Sequence, residues 1–241
     1  MRKLWRAKNG QFVIIAVLMI AIMITSIAAL MHRTATYYKH EPWEEYLTLI
    51  RNIQLNSKRL VELSLSNYTH SFNQFILEKN LREWEINLSR IYVGRGVQLN
   101  YILAEGVYEA LGTPINYHLG LNISWGRTIS YSAANVSFSL NIDSMGLTGY
   151  RFGAFTLVNL TILNVTSNEI TVAVKNEGGD PLLTLEEENF FVENYTVRNV
   201  DSCYDEKYMM VYIIECNQTV STPVSVSVWD ERGIKVTAEY P

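Results

Sequence analysis

Gln11 to Met31 reads QFVIIAVLMIAIMITSIAALM. After Gln11 come twenty residues with no charge, no Pro and no Gly. At ~1.5 Å per residue such a run matches the ~30 Å hydrocarbon core of a bilayer. Its few hydroxyls, on Thr25 and Ser26, are able to bond back to their own helix. The stretch therefore predicts a transmembrane helix over 11–31, and that helix decides on which side of a membrane everything else lies. A cleaved secretory signal fits less well, because its apolar core is ~7–15 residues long.

Charge sets the orientation. The leader, residues 1–10, carries Arg2, Lys3, Arg6 and Lys8 and no acid. The region after Met31 has 16 basic residues against 24 acids, a formal charge of −8. The positive-inside rule puts the leader in the cytoplasm and the rest outside, as a single-pass protein of the cell membrane. An acidic exterior argues against a nucleic-acid partner, which needs a basic face.

The junction Lys8-Asn9-Gly10-Gln11-Phe12, followed at once by the apolar run, resembles the class III signal of archaeal type IV pilins and related surface proteins. That resemblance implies cleavage after Gly10, with Gln11 as the new N-terminus and the apolar helix as anchor or filament core. An ordinary uncut signal anchor reads the same residues. The mature N-terminus separates the two.

Residues 32–41 form a link, and 42–113 read as a helical stalk or bundle. Positions 43, 46, 50, 53, 57, 60 and 64 step by three and four, with Leu47 and Val61 widening the stripe. Ser66-Asn67 marks a break. Leu77, Leu81, Trp84, Leu88 and Ile91 repeat the spacing. A third stripe, Val97, Tyr101, Ala104, Tyr108 and Leu111, ends at Gly112-Thr113-Pro114. Three such helices bury their apolar faces on one another. Trp43, Trp84 and Tyr101 are explained as core without a ligand.

From Leu119 the period becomes two. Val136, Phe138, Leu140 and Ile142 alternate with polar residues, and so do runs near 158–162, 170–174, 224–228 and 234–238. Phe190–Val192 and Met209–Ile214 are apolar on both faces, as central strands are. Turn clusters fall at 176–181, 205–207 and 230–233. Short strands at this density predict an antiparallel β-sandwich over 119–241, and an α+β chain overall. Ile170 to Leu183, ITVAVKNEGGDPL, resembles the strand and turn of immunoglobulin-like domains in archaeal surface and archaellum-associated proteins. The resemblance implies fold rather than function.

Eight N-x-S/T sequons, at Asn67, Asn87, Asn122, Asn135, Asn159, Asn164, Asn194 and Asn217, all follow the apolar run and are glycosylation candidates. Strand parity puts Asn135 and Asn159 on wet faces, and leaves Asn164 usable only if its strand has ended. Cys203 and Cys216 are the only cysteines. An exterior setting and an even count predict a bridge between them, worth roughly 3 kcal/mol. A hairpin turn at Asp205–Lys207 opposes this, since it sets Cys203 against a residue near Met209.

No enzyme signature is present. His32, His40, His70 and His118 have no metal-ligand spacing, and G-x-S-x-G and H-E-x-x-H are both missing. Glu186-Glu187-Glu188 reads as solvated surface before it reads as a calcium site. No catalytic residue, metal site or cofactor is assigned. The expected role is a non-enzymatic cell-surface protein, pilin-like or envelope-anchored, structural or adhesive. Its partners would be the lipid bilayer and, through the transmembrane or stalk helices, other copies. The alternative is an extracellular ligand-binding or sensor subunit that works with a membrane partner.

Overall fold

The computed structural model describes residues 17–33 and 43–241. The chain divides into two compact units, Met1–Arg51 and Asn52–Pro241.

In the first unit the apolar run forms a helix, α1, over residues 17–33, exposed along its whole length. Thr25 Oγ1 donates to Ala21 O at 2.8 Å, so its hydroxyl is satisfied inside the helix. The expected transmembrane helix is corrected here. Among the described residues no helix is long and apolar enough to cross a membrane. The seventeen described residues account for about 26 Å of helix at ~1.5 Å each, against a ~30 Å core. The leader, its Gly10–Gln11 junction and residues 11–16 lie outside the described residues, as do most of the link and His40.

Helix α2, Trp43–Ser71, buries Leu49 and runs without a break through Ser66-Asn67, where a break is expected. Glu44 and Glu45 occupy its first turn, at the positive end of the dipole. Ile53, Ser57, Val61 and Leu65 are buried. Helix α3, Ile76–Ile91, buries Leu77, Leu81 and Leu88 on one face. The helices meet over a polar seam. Trp84 Nε1 donates to Ser57 Oγ at 3.0 Å, and Asn80 Nδ2 donates to Ser64 Oγ at 2.9 Å. Serine suits the seam because it is small enough for close packing and still accepts a hydrogen bond.

The third stalk helix does not exist. Its residues form strands β1, Val97–Leu103, and β2, Gly106–Ala110, followed by β3, Thr113–Tyr117. Val97, Leu99 and Tyr101 satisfy a period of two as readily as Val97, Tyr101 and Ala104 satisfy helical spacing. The turn decides between them. Ala110 pairs with Thr113 across a two-residue loop, Leu111-Gly112, with φ of 51° and 72°. Two positive φ values in a two-residue loop are the hairpin geometry whose twist matches the flanking strands.

Strands β4 to β12 follow at Leu121–Ser124, Ile129–Ile142, Leu147–Val165, Glu169–Asn176, Phe190–Val192, Val197–Asp205, Met209–Cys216, Val224–Trp229 and Lys235–Tyr240. The immunoglobulin-like sandwich is also corrected. One antiparallel sheet takes seven strands, in the order β1-β5-β6-β7-β10-β9 with β4 also on β5. Length is the reason. β5 has 14 residues and β6 has 19, so β1 and β4 share one edge of β5 end to end. A separate three-stranded sheet runs β12-β11-β8, and β2-β3 stands alone as a hairpin. Phe190–Val192, expected at a sheet centre, is an edge strand.

The large sheet is covered on both faces around its middle. Ala133 and Leu157, paired across β5 and β6, join Ala104, Ile115 and Tyr117 in a buried cluster on the β2-β3 side. On the opposite pleat, Ser132 donates to Lys235 O of β12 at 2.6 Å, and Phe190 of β8 lies 5.2 Å from Tyr212 of β10. Burial raises the Tyr117 phenol far above its ordinary value.

Helix α2 is latched to this unit by charge. Arg232, in the turn between β11 and β12, donates from Nε to Asp230 Oδ2 at 2.6 Å and from Nη1 to Glu177 Oε2 at 3.1 Å. Glu62 Oε1 lies 3.5 Å from the same Nη1, and Lys58 Nζ reaches Glu177 at 3.2 Å. The Asp230 side chain is only 2 % exposed, and its Oδ1 accepts from the backbone N–H of Arg232 and of Ile234. One residue along, Gly233 O accepts from Ser66 Oγ of α2 at 2.9 Å.

Candidate functional site

A hollow opens where β8 and β9 approach each other. A single-turn 3-10 helix, Glu187–Asn189, leads into β8. Asn189 holds it from both ends, accepting from the Glu186 backbone N–H at 2.8 Å and donating to Trp229 O at 3.0 Å. After β8 the chain reverses through Asn194, which has φ of 66°. Asparagine tolerates that region better than most residues. Tyr195 then accepts at its hydroxyl from the Ser221 backbone N–H at 2.9 Å and shares a second bond with Ser221 Oγ. Those bonds pull its phenol below the ordinary value.

These turns enclose a hollow of about 600 Å³ between Glu186–Glu188, β8 and Tyr195–Val197. Its wall carries Phe191, 52 % exposed, and its rim carries three carboxylates. Such a surface suits a partner that presents an apolar group beside a basic one. Among the described residues no group of three or more His, Cys, Asp or Glu is placed to hold a metal ion.

Beside the hollow runs β9, VRNVDSCYD. It pairs with β10 on one side and is the last strand of the seven-stranded sheet. Among the described residues no strand pairs with its other side. Tyr204 is 77 % exposed, and Arg198, Asp201 and Cys203 are exposed as well. An open edge of this length is a template for another strand. Another groove, of about 490 Å³, lies on the large sheet near Asn100, Ser137, Ser139 and Arg151.

The expected disulfide is absent. Cys203 and Cys216 are both free, the first exposed and the second buried. In the β9-β10 register Cys203 faces Val211, while Cys216 faces Val197. Five positions of strand separate Cys216 from the partner of Cys203, about 17 Å at ~3.4 Å each. A bridge needs Cα atoms about 4.4–6.8 Å apart. The hairpin around residues 206–208 is the cause. Burial also raises the Cys216 thiol above its ordinary value and keeps it protonated.

The sequons scatter over the surface rather than forming one site. Asn67, Asn87, Asn164, Asn194 and Asn217 are exposed, whereas Asn122, Asn135 and Asn159 are half-buried. Asn164 escapes its parity because the β6-β7 register shifts between Ile162 and Asn164. A bulge there turns its side chain outward. Asn159 accepts from Thr161 Oγ1, of its own sequon, at 3.2 Å, because residues two apart share a strand face. Of the histidines, His70 contacts Gly233 O at 3.1 Å and His118 lies 3.4 Å from Glu105, so they are far apart in role.

The open edge and the hollow were invisible in the sequence, because an edge is defined by which strands fail to pair. The one local hint was the charge pattern of β9, with Arg198, Asp201 and Asp205 at irregular spacing. In comparisons with protein-family models, curated proteins and solved structures, nothing matches this chain.

Proposed function

We propose that the chain is a non-catalytic structural or adhesive component of the cell exterior that acts through protein contacts on the β8-β9 side. The observation carrying this reading is the nine-residue strand β9, whose outer side pairs with no strand among the described residues, beside a hollow lined by Phe190 and Phe191 together with Glu186, Glu187 and Glu188. Backbone groups on an open edge supply affinity for a partner strand without any catalytic group. Exterior placement draws support from the acidic balance after Met31 and from five exposed sequon asparagines.

The pilin-like junction adds the form such a component takes. Cleavage after Gly10 would remove Arg2, Lys3, Arg6 and Lys8 and start the mature chain at Gln11. Mass spectrometry of the native protein is the test. A mature N-terminus at Gln11 is expected. A native chain that begins at Met1 or Arg2 contradicts the pilin-like form.

A further inference from the structure

We propose that Asn194 is N-glycosylated and that its first sugar seats in the hollow against the exposed part of Phe191. The proposal rests on the exterior placement argued above and names a ligand for the hollow. Backbone shape separates the eight sequons. An enzyme that reads three consecutive residues needs them clear of regular structure, because a helix or a sheet ladder already holds their backbone groups. Asn67 and Asn87 lie inside α2 and α3, and Asn122, Asn135, Asn159 and Asn164 lie inside β4, β5 and β6. Asn194 and Asn217 lie outside helices and strands, and both are exposed. Asn217 has no aromatic residue within three positions of it in the chain. Asn194 has Phe191 three positions before it, half exposed, on the limb that enters its turn.

The turn holds the two in fixed relation. Tyr195 N–H donates to Val192 O at 3.2 Å, which places Glu193 and Asn194 at its tip. Val192 is fully buried, the Tyr195 hydroxyl is bonded to Ser221, and Thr196 O accepts from the Asn217 N–H at 3.1 Å. Phe191 and Thr196 therefore flank the turn on limbs about 5 Å apart, as paired strands are, and both line the hollow. Trp229 meets the Phe191 ring edge to face at 6.5 Å, which fixes the ring while half of it stays exposed. A pyranose has an apolar C–H face and a rim of hydroxyls. The first packs on an exposed aromatic ring, and the second donate to acceptors. Glu186, Glu187 and Glu188 bring acceptor-only carboxylates to the same hollow. Transfer forms a bond from Asn194 Nδ2 to the anomeric carbon of a lipid-phosphate-linked oligosaccharide. It breaks that carbon's bond to the phosphate oxygen and releases the lipid phosphate and one amide proton. Residues 198–205 of β9 do not line the hollow, so the sugar leaves them to a partner strand.

Two measurements on the full-length chain test this. Glycopeptide mass spectrometry of the protein from its own host should find sugar on Asn194. Thr196→Ala should abolish it and Thr196→Ser should keep it, because the sequon needs the hydroxyl. Thr196 is exposed, and circular dichroism checks that both variants fold. Urea unfolding then tests the seat. Losing the sugar through Thr196→Ala should raise the unfolding constant about fivefold, the scale of one aromatic contact, and less than about twofold in a Phe191→Leu background. The same chains made in a host without N-glycosylation subtract the effect of the side chains alone. A bare Asn194 in the native protein overturns the proposal, and so does an equal loss in both backgrounds. A bare Asn194 on a chain whose exposed Cys203 is labelled from outside intact cells removes this inference and leaves the surface-component reading standing. With Cys203 protected in intact cells, both fall.

Discussion

Replacing Arg232 with Met should lower the unfolding free energy by about 3–5 kcal/mol, the cost of leaving a buried carboxylate without its counter-ion. Asp230 cannot escape to solvent, because its side chain is 2 % exposed and its Oδ1 is held in the turn by the backbone N–H groups of residue 232 and Ile234. Met conserves much of the aliphatic stem, so the loss reports charge more than packing. Glu177 gives the effect a pH signature. Burial pushes its carboxyl up, but its own backbone N–H and the Arg232 guanidinium outweigh that and hold it below the ordinary 4.5. A depressed carboxylate contributes stability that is fully present above its unfolded value and is lost as pH falls through the folded one. Wild type should therefore lose stability as pH drops below about 4.5, and Arg232→Met should lose less over that same window. Urea unfolding at a series of pH values measures both. A change under about 1 kcal/mol at neutral pH would show that solvent already screens the cluster.

The second large effect is expected at Gly120. Its φ is 75°, a region that a β-branched residue enters only under strain. The space is closed as well. A Cβ there would meet Leu77 Cδ2 at 3.0 Å, Asn135 O at 3.1 Å and Leu103 Cδ2 at 3.2 Å. Neither the backbone oxygen nor the packed leucines give way cheaply, since Gly120 N–H donates to Ala104 O and Gly120 O accepts from the Asn135 N–H. Gly120→Val should cost about 3–5 kcal/mol, from strain and overpacking together. Gly112→Val supplies the control. Its φ is 72°, yet nothing lies within 4 Å of the added Cβ, so only the backbone strain of about 1–3 kcal/mol applies. Equal losses at the two positions would mean that the helix-to-sheet contact at Leu77 is loose.

What was legible in the sequence was local. Alternation located β5, β6, β7, β11 and β12, because a half-buried strand writes its wet and dry faces at period two. Val97 to Leu111 deceived because its apolar residues fit both periods, and Leu111-Gly112 was read as a helix end when it is a hairpin loop. The partition into seven, three and two strands depends on β5 and β6 outrunning their neighbours, which no window of ten residues contains. The latch from Lys58 and Glu62 to Glu177 and Arg232 spans most of the chain. The register that separates Cys203 from Cys216 is local by contrast, and the turn cluster at 205–207 already opposes the bridge.

The free, exposed thiol of Cys203 offers the most direct test of a surface component that works from outside the cell. A maleimide too polar to cross a membrane is added to intact cells, and the two cysteines are read separately by peptide mass. The expected result is labelling of Cys203 on intact cells, with Cys216 labelled only after denaturation. Labelling of Cys203 only after the cells are lysed would contradict exterior placement.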